Sequence, residues 1–205
     1  MTDANGSLAT SPDAVPAQRA TSVAIRQAGP EDVDAIAALW TRASKWLGSI
    51  GTDQWQYPVR VEGIQAEIAA GDVWVASAID GDGLVGSVTI EDADGSGLWD
   101  ATDCPDRALY VHRLVVDRDA GLTGLGSAIL DWTSRRAQRL GRSYLRLDAW
   151  SSNTRLHEYY LDRGFRHVRT VYGPDVLSGA LFERPAARRL GWGPALEEVP
   201  GRRPA

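Results

Sequence analysis

The chain has 205 residues, enough for one domain with short extensions, because single hydrophobic cores commonly serve about 100 to 200 residues. Its hydrophobic share of 43% and charged share of 24% are average for a globular protein, which argues against a disordered or a membrane class. The net charge of −5 gives no general attraction to phosphate backbones, so no nucleic-acid partner is expected.

The two ends of the chain differ in composition from its middle. Residues 1–22 are rich in Ala, Thr, Ser and Pro without a secretory pattern, so we predict a flexible N-terminal extension and a cytoplasmic protein. Residues 185–205 return to Pro, Arg and Gly and are predicted as a C-terminal tail. The single cysteine, Cys104, excludes an intrachain disulfide and a multi-cysteine metal site, and no metal is implied.

The segment between the ends, residues 23–184, begins with a predicted strand and two helices. The strand covers residues 23–27, and proline in the first turn marks the start of the first helix. The second helix ends at Gly71. Two β-rich runs at 73–79 and 84–90 are joined by Asp-Gly-Asp-Gly, which is typical of a hairpin turn.

The second half of this segment adds a long strand, Ala108–Val116, then a helix that begins after Gly124, then a strand at 144–149. Because a helix connects these two strands, they are predicted to be parallel. A helix capped by Asn153 and two closing strands complete the pattern. Together the elements predict an α+β domain on one mixed, largely antiparallel sheet.

The junction between the long strand and its helix carries the most specific chemistry. From Val116 to Ser127 a strand ends, a glycine-rich loop follows and a helix begins. Free N–H groups at such a helix start bind phosphate, and glycines let the phosphate approach the main chain. A tight turn that only starts a helix is the alternative. The order Gly-x-x-Gly-x-Gly differs from a dinucleotide loop, and no Gly-Lys ending indicates a nucleoside triphosphate loop.

This junction resembles the coenzyme A motif of the GNAT acetyltransferases, in which Leu-Val-Val (114–116) precedes Gly-Leu-Gly (124–126). Downstream, Asn153, Tyr160 and Gly-Phe (164–165) are similar to that family's second motif. The resemblance covers residues 23–184. It implies a GNAT-like sheet splayed between its fourth and fifth strands and flanked by about four helices. It also implies an N-acetyltransferase that moves an acetyl group from acetyl-CoA to a primary amine by direct attack.

The resemblance assigns one group of residues to acetyl-CoA, the acyl-donor co-substrate. The group combines the splayed strand end, the glycine loop and a helix cap: Leu114, Val115, Val116, Gly121, Leu122, Thr123, Gly124, Leu125, Gly126, Ser127 and Asn153. The strand would bind the pantetheine arm, and the loop amides would bind the pyrophosphate. Gly121 replaces the family's usual Arg or Gln and Leu122 a common glycine, so we expect binding to persist with lower affinity.

Two residues are candidate catalytic groups by the same resemblance. Tyr160 matches the general acid that protonates the departing thiolate; a packed helical tyrosine is the alternative, and the adjacent Tyr159 fits that alternative better. His112 lies where many relatives have a glutamate base, and an imidazole of ordinary pKa near 6.5 can accept the proton of the amine. An ordinary half-buried histidine fits the sequence equally well.

The acceptor site is expected beside the loop between the first two helices. Trp46, Asp53 and Trp55 lie in or near this loop, and Asp148 lies on the strand at 144–149. Aromatic and acidic groups attract cationic amines. Core packing of the tryptophans, and an arginine partner for Asp148, are the alternatives.

The acceptor class and the rival functions stay open at this stage. The acceptor is a small-molecule amine, an amino acid or a peptide N-terminus, with no membrane partner and with a homodimer as the family's habit. A catalytically silent acyl-CoA-binding sensor is the rival function, and a dinucleotide-binding protein is the third.

Overall fold

The computed structural model describes residues 22–79 and 83–201. Its strands are β1 (Val23–Gln27), β2 (Val73–Ala78), β3 (Leu84–Glu91), β4 (Ala108–Val116), β5 (Tyr144–Ala149), β6 (Arg166–Thr170), β7 (Ala180–Pro185) and β8 (Leu196–Glu198). Its α-helices are α1 (Val33–Ser49), α2 (Val61–Ala70), α3 (Leu125–Arg139) and α4 (Thr154–Asp162). Short 3₁₀ turns lie at Pro30–Asp32, Ala101–Asp103 and Pro105–Arg107.

Within the described ranges the strands form one eight-stranded sheet in the order β6-β7-β5-β4-β3-β2-β1-β8. Neighbouring strands are antiparallel except for the pairs β4–β5 and β1–β8, which are parallel. The β4–β5 pair is parallel because α3 crosses between the two strands. The predicted mixed, largely antiparallel sheet with about four flanking helices is confirmed. Residues 80–82, which hold most of the predicted hairpin turn, lie outside the described residues.

The pairing of β4 with β5 ends before β4 does. Its last pair is Val111 opposite Leu147, whereas β4 continues to Val116. Beyond this point β4 stays paired with β3 only, through a register shift that accompanies Arg113 in the left-handed conformation with φ of 50°. Such a bulge increases the local bend of a strand. The predicted splay between the fourth and fifth strands is therefore confirmed, and it leaves one backbone edge of β4 without a strand partner among the described residues.

The core lies on both faces of the sheet. On β2, Val73 and Val75 face a cluster with α1 and α2, whereas Trp74 and Ala76 face a larger cluster with α3 and α4. The alternation follows from the two-residue period of a strand. Ile129 of α3 is fully buried in the larger cluster. Full burial of such a side chain contributes about 1.5–3 kcal/mol. The larger cluster also contains Val111 of β4 and Leu147 of β5, so its packing fixes the position of these two strands.

The segment after β7 was predicted as a tail, and its described part contains an unpredicted strand. β8 adds to the sheet beside β1. Between β7 and β8 the chain crosses α3, where Asp131 accepts hydrogen bonds from the backbone N–H groups of Leu190 and Gly191 at 2.8 and 2.9 Å. Asp131 also lies 3.3 Å from the buried Arg184 of β7. The C-terminal segment, defined as residues 186–199, is thus anchored at both ends.

The predicted N-terminal extension, residues 1–22, lies outside the described residues except for its last residue. Among the described helices, none combines the length and the apolar composition that a bilayer crossing requires.

Candidate active site

Two adjoining cavities open where β4 and β5 separate. The first cavity has a volume of about 420 Å³ and the second about 340 Å³. Five residues line both of them: Gln54, Trp55, Leu114, Leu156 and Tyr160. The two cavities therefore share a wall, and a group bound in one lies next to a group bound in the other.

The first cavity is bounded by the splayed end of β4 and the start of α3. Leu114, Val115 and Val116 line it together with Gly126 of α3 and Asn153 of α4. All five are among the residues assigned to acetyl-CoA. Because the end of β4 has no strand partner on this side within residues 22–79 and 83–201, the N–H and C=O groups on that edge are free to bind an extended chain.

The glycine loop presents free backbone N–H groups. The N–H groups of Thr123 and Leu125 donate within the loop, to the carbonyls of Gly121 and Leu122. In the part of the chain that the structure describes, the other four amides of residues 122–127 have no protein acceptor: Leu122, Gly124, Gly126 and Ser127. Since these amides lie at the N-terminus of a 15-residue helix, they favour an anion such as a pyrophosphate.

At two positions of this loop, close contacts with neighbouring residues leave no room for a side chain. Gly124 has a φ of 82°, and a Cβ atom at this residue would lie 2.8 Å from the Cα of Gly193 in the C-terminal segment. A Cβ on Gly126 would collide with the hydroxyl of Tyr159. The loop is therefore packed between α4 and the C-terminal segment, which fixes its amides before any ligand binds.

The Ser127 side chain does not face an anion site. Ser127 is fully buried, and its hydroxyl accepts a hydrogen bond from Nε of Arg163 at 2.8 Å. The Arg163 guanidinium also stacks on Tyr159, 3.4 Å from the ring centroid. The hydroxyl is thus engaged with Arg163, and the burial of Ser127 does not support its assignment to the pyrophosphate.

Asn153 caps α4 and ties it to the loop between α1 and α2. Its side-chain oxygen accepts from the N–H of Leu156 at 3.0 Å, as predicted for a helix cap. Its amide nitrogen donates to Oε1 of Gln54 at 2.6 Å. Both residues line the first cavity, so this contact holds one wall of that cavity in place.

Tyr160 lies on α4 where the two cavities meet. Its ring packs against Tyr159, Phe165 and Phe182 and is only 8% exposed. Among the described residues its hydroxyl makes no hydrogen bond. Burial raises the pKa of Tyr160 well above its ordinary value, followed by smaller effects of Tyr159 and Asp148. The phenol therefore stays protonated at neutral pH, as a proton donor must.

The second cavity is polar and contains an acidic cluster around His112. Its lining includes Glu91 of β3, His112 of β4 and Asp148 of β5. Nδ1 of His112 lies 3.1 Å from Oδ1 of Asp148, and Nε2 lies 3.7 Å from Oε2 of Glu91. Asp148 thus contacts His112 and not the arginine considered from the sequence. Within the described ranges no such group of side chains is arranged to hold a metal ion.

The charges of this cluster shift the pKa of two members. Burial by itself lowers the pKa of His112, but the close contact with Asp148, its charge, and the charges of Glu91 and Asp94 outweigh burial and raise it. The pKa of Glu91 is raised, mainly by burial, against the opposing charge of His112. The raised pKa favours the protonated form of each group.

The loop residues predicted for the acceptor are placed differently from one another. Trp55 lines both cavities and stacks on Trp40 at 5.4 Å between ring centroids. Trp46 lines only the first cavity, under the guanidinium of Arg118, and so lies on the side assigned to the donor. Its assignment to the acceptor site is not supported by this position.

Asp53 lines neither cavity, contrary to its predicted contact with the amine. Its carboxylate accepts hydrogen bonds from Nε1 of Trp150 at 3.0 Å and from the hydroxyl of Ser152 at 2.6 Å. The side chain therefore joins the loop to the turn after β5. Its role in this structure is to hold the wall that carries Trp55.

Glu91 and Arg113 were not among the predicted residues, although both line the second cavity. Glu91 ends a strand before a loop rich in Gly and Asp, where an acidic residue is unremarkable in sequence. Arg113 forms an ion pair with Glu67 and stacks on Trp40, 5.4 Å from the ring centroid. The sequence contains one indication of Glu91: in paired antiparallel strands, alternate residues of β3 and β4 share a face, and His112 and Glu91 lie on the same one.

Comparison with known proteins agrees with this geometry. The model of the Acetyltransferase (GNAT) family matches residues 36–165, which is more than half of the chain. The chain belongs to the GNAT acetyltransferase family. A similar curated protein is the uncharacterized N-acetyltransferase YesJ of Bacillus subtilis, 28% identical over 161 residues that cover 75% of this chain and 85% of YesJ.

Solved structures of low sequence identity share the fold. A GNAT family acetyltransferase from Listeria monocytogenes is 24% identical with a TM-score of 0.64, over 78% of this chain and 93% of the other. An N-acetylglutamate synthase from Neisseria gonorrhoeae, solved with coenzyme A and N-acetyl-glutamate, is 21% identical with a TM-score of 0.56. That match covers 81% of this chain but only 35% of the synthase.

Proposed function

We propose that this GNAT protein transfers an acetyl group from acetyl-CoA to a primary amine, without a covalent enzyme intermediate. The observation that carries the proposal is the meeting of the two cavities at Tyr160, with Gly126 and its free amide lining one and acidic groups lining the other. The arrangement supports a donor and an acceptor bound side by side, with a proton donor between them.

The first cavity fits the donor. The unpartnered edge of β4 suits the amide groups of a pantetheine arm, and the four free loop amides suit a pyrophosphate. Arg118 and Arg155 line the same cavity and add positive charge. When bound, acetyl-CoA would supply an activated thioester.

The second cavity fits a cationic amine. Glu91 and Asp148 supply negative charge, and Tyr57 and Trp150 supply aromatic walls. Its volume of about 340 Å³ lies at the lower end of small-molecule sites, which favours a small amine or the terminal residue of a peptide.

The chain's own groups divide the proton transfers. The acidic cluster accepts a proton from the ammonium form of the acceptor, which frees the nitrogen lone pair for attack on the carbonyl. Tyr160 donates its phenolic proton to the departing sulfur as the carbon–sulfur bond breaks, and the second proton, which the attacking nitrogen loses as the amide forms, restores the phenol. The only cysteine, Cys104, is exposed and lines neither cavity. It is therefore not placed to form an acyl-enzyme, which favours direct attack by the amine.

The test is Tyr160→Phe, assayed by thiol release with a panel of amines and by calorimetric titration with acetyl-CoA. We expect kcat to fall by about a hundredfold or more, because general acid catalysis commonly contributes about 10²–10⁴. The dissociation constant of acetyl-CoA should change less than about twofold, since the phenylalanine keeps the packing. Tyr172→Phe is the matched control, because Tyr172 is 83% exposed and lines neither cavity.

Other outcomes of this experiment favour the rival functions. Acetyl-CoA binding to the wild-type protein without thiol release from any amine supports a silent acyl-CoA sensor. Full turnover of Tyr160→Phe removes the assigned role of Tyr160. Tighter binding of NAD than of acetyl-CoA contradicts the proposed function as a whole.

A further inference from the structure

Three adjacent strands bring one side chain each to the floor of the second cavity. Thr89 pairs with His112 across β3 and β4, so Glu91, two residues further on β3, is a diagonal neighbour of His112 on the same face. On the other side, the parallel pairing ends at Val111 opposite Leu147, and the next residues are His112 and Asp148. The register of the sheet therefore lines up Glu91, His112 and Asp148.

The three groups differ in access to the cavity. The Glu91 side chain is 27% exposed, whereas those of His112 and Asp148 are 15% and 14% exposed. Nε2 of His112 is buried and has no hydrogen-bond partner among the described residues. A buried polar atom without a partner is unfavourable. The carboxylate of Glu91, 3.7 Å from Nε2, is placed to exchange a proton with it.

This access excludes His112 as the first group to meet the amine in the conformation described. Its Nε2 is shielded from the cavity, while the carboxylate of Glu91 lies 3.7 Å away and is more open. A carboxylate alone is a weak base toward an ammonium group, whose proton it holds poorly at neutral pH. The imidazole of His112 lies behind this carboxylate, and the charge of Asp148 stabilises its protonated form. The imidazole therefore binds the proton more strongly than a carboxylate does.

We propose that Glu91, His112 and Asp148 form a proton relay in which Glu91 takes the proton from the acceptor amine and His112 holds it. Asp148 is the positioning residue, which orients the imidazole through Nδ1. This relay rests on the proposed function, because it acts on the amine of that reaction. It adds Glu91 as the catalytic residue that contacts the acceptor.

Each proton transfer in the relay is balanced. One N–H bond of the ammonium breaks as an O–H bond forms at Glu91, and the same proton then bonds to Nε2 of His112, which restores the carboxylate. The imidazolium carries a positive charge between two negative ones. After the amide product leaves, the proton returns to solvent through Glu91, and no oxidant or reductant takes part.

The pH dependence follows from all charged groups that face the imidazole. The carboxylates are those of Asp148 on β5, Glu91 on β3 and Asp94 in the loop after β3, and Asp72 acts in turn on Glu91. The cavity also holds the hydroxyls of Tyr57 and Tyr160 and the guanidinium of Arg113. Because the relay needs neutral His112, kcat/KM should fall as pH drops through the pKa of His112, which is raised above its ordinary value.

The first measurement is a ¹⁵N NMR titration of the imidazoles in the full chain without substrates. The chain has three histidines, and His112→Gln identifies the signal of interest. Asp148→Asn and Glu91→Gln should each lower the pKa of His112, and Asp148→Asn should lower it more because its contact is closer. Asp92→Asn is the matched control, since Asp92 is 62% exposed and pairs with Arg142.

The second measurement is the pH profile of turnover for the same variants. Glu91→Gln should lower kcat by about a hundredfold. Asp148→Asn should lower the plateau value of kcat/KM and move the acidic fall in kcat/KM to lower pH. Asp148→Glu should return that fall to its wild-type pH. Thermal unfolding reports whether each variant is folded.

The outcomes separate the relay from the proposed function. A His112 titration that neither carboxylate variant moves overturns the relay, whether or not turnover is found. A higher KM for the amine at unchanged kcat in Glu91→Gln also overturns it, because Glu91 would then only bind the acceptor. If the wild-type protein releases thiol in response to none of the amines tested, the proposed function is contradicted. The NMR titration then still decides whether Glu91 and Asp148 shift the pKa of His112.

Discussion

The donor side and the acceptor side of the splayed sheet are built in different ways. On the side proposed for the donor, the end of β4 and the loop from Gly121 to Ser127 belong to one stretch of chain, and its backbone groups would provide most of the binding. On the acceptor side, Glu91, His112 and Asp148 come from three strands and act through their side chains. The difference teaches that the donor site depends on local backbone geometry and the acceptor site on the register of the sheet.

The largest expected effect tests whether the donor side depends on the distant C-terminal segment. Asp131→Asn removes the charge opposite buried Arg184, whose pKa burial lowers to about 10 despite the attraction of Asp131. We expect a loss of about 3 kcal/mol in the free energy of unfolding, because it leaves a buried cation without its counter-charge. Chemical denaturation measures it, and Asp162→Asn on the exposed face of α4 is the control.

In the same variant, acetyl-CoA binding should weaken while the KM for the amine stays unchanged. Asp131 holds the N–H groups of Leu190 and Gly191, and the following residues pack on the glycine loop. Equal losses on both sides would contradict the division between donor and acceptor sites. Unchanged acetyl-CoA affinity would show that the loop keeps its shape without the C-terminal segment.

A smaller difference in the free energy of unfolding is expected between substitutions at the two loop glycines with positive φ, Gly121 and Gly124. Gly124→Ala places a Cβ atom 2.8 Å from the backbone of Gly193, whereas Gly121→Ala meets nothing within 4 Å. Both variants carry the left-handed penalty of about 1–2 kcal/mol. Gly124→Ala should lose roughly 1–2 kcal/mol more, since backbone and not a flexible side chain obstructs it. Denaturant unfolding of both variants measures the difference, and equal losses would contradict the packing of this loop.

The smallest effect is expected on the acceptor side, at Asp53. Asp53→Asn weakens the contacts to Ser152 and Trp150, so the loop that carries Trp55 should loosen and the KM for the amine should rise a few fold. Acetyl-CoA affinity, measured by calorimetry, serves as the control. A larger loss in kcat than in KM would show that Asp53 meets the substrate after all.

The pKa of Asp53 gives this contact a defined pH dependence. The hydrogen bonds from Ser152 and then from Trp150 lower its pKa below the ordinary value. The contribution of these bonds is therefore complete above the ordinary pKa and is lost as pH falls through the lowered one. Within the neutral range the loop should show no pH dependence from this residue, in contrast to His112.

Particular residues show how far the sequence reached. The glycine loop and the cap at Asn153 were predicted, because each depends on neighbours within about four residues or on a helix start. Tyr160 was assigned from the resemblance to the family, and the fold places it between the two cavities. Trp46 and Asp53 were assigned to the acceptor, but one lines the donor cavity and the other ties a loop. Their residue types fitted a cationic substrate, yet only packing decides which way a loop side chain points.

The sequence by itself determined the elements up to β7, the parallel crossover from β4 to β5 and the glycine loop at the start of α3, since these depend on short-range periodicity, glycine conformations and helix ends. The tertiary structure decided the acidic cluster and the return of the chain along α3 to β8. His112 and Asp148 are far apart in sequence, and they meet because strand register, set by packing on both faces of the sheet, brings them together.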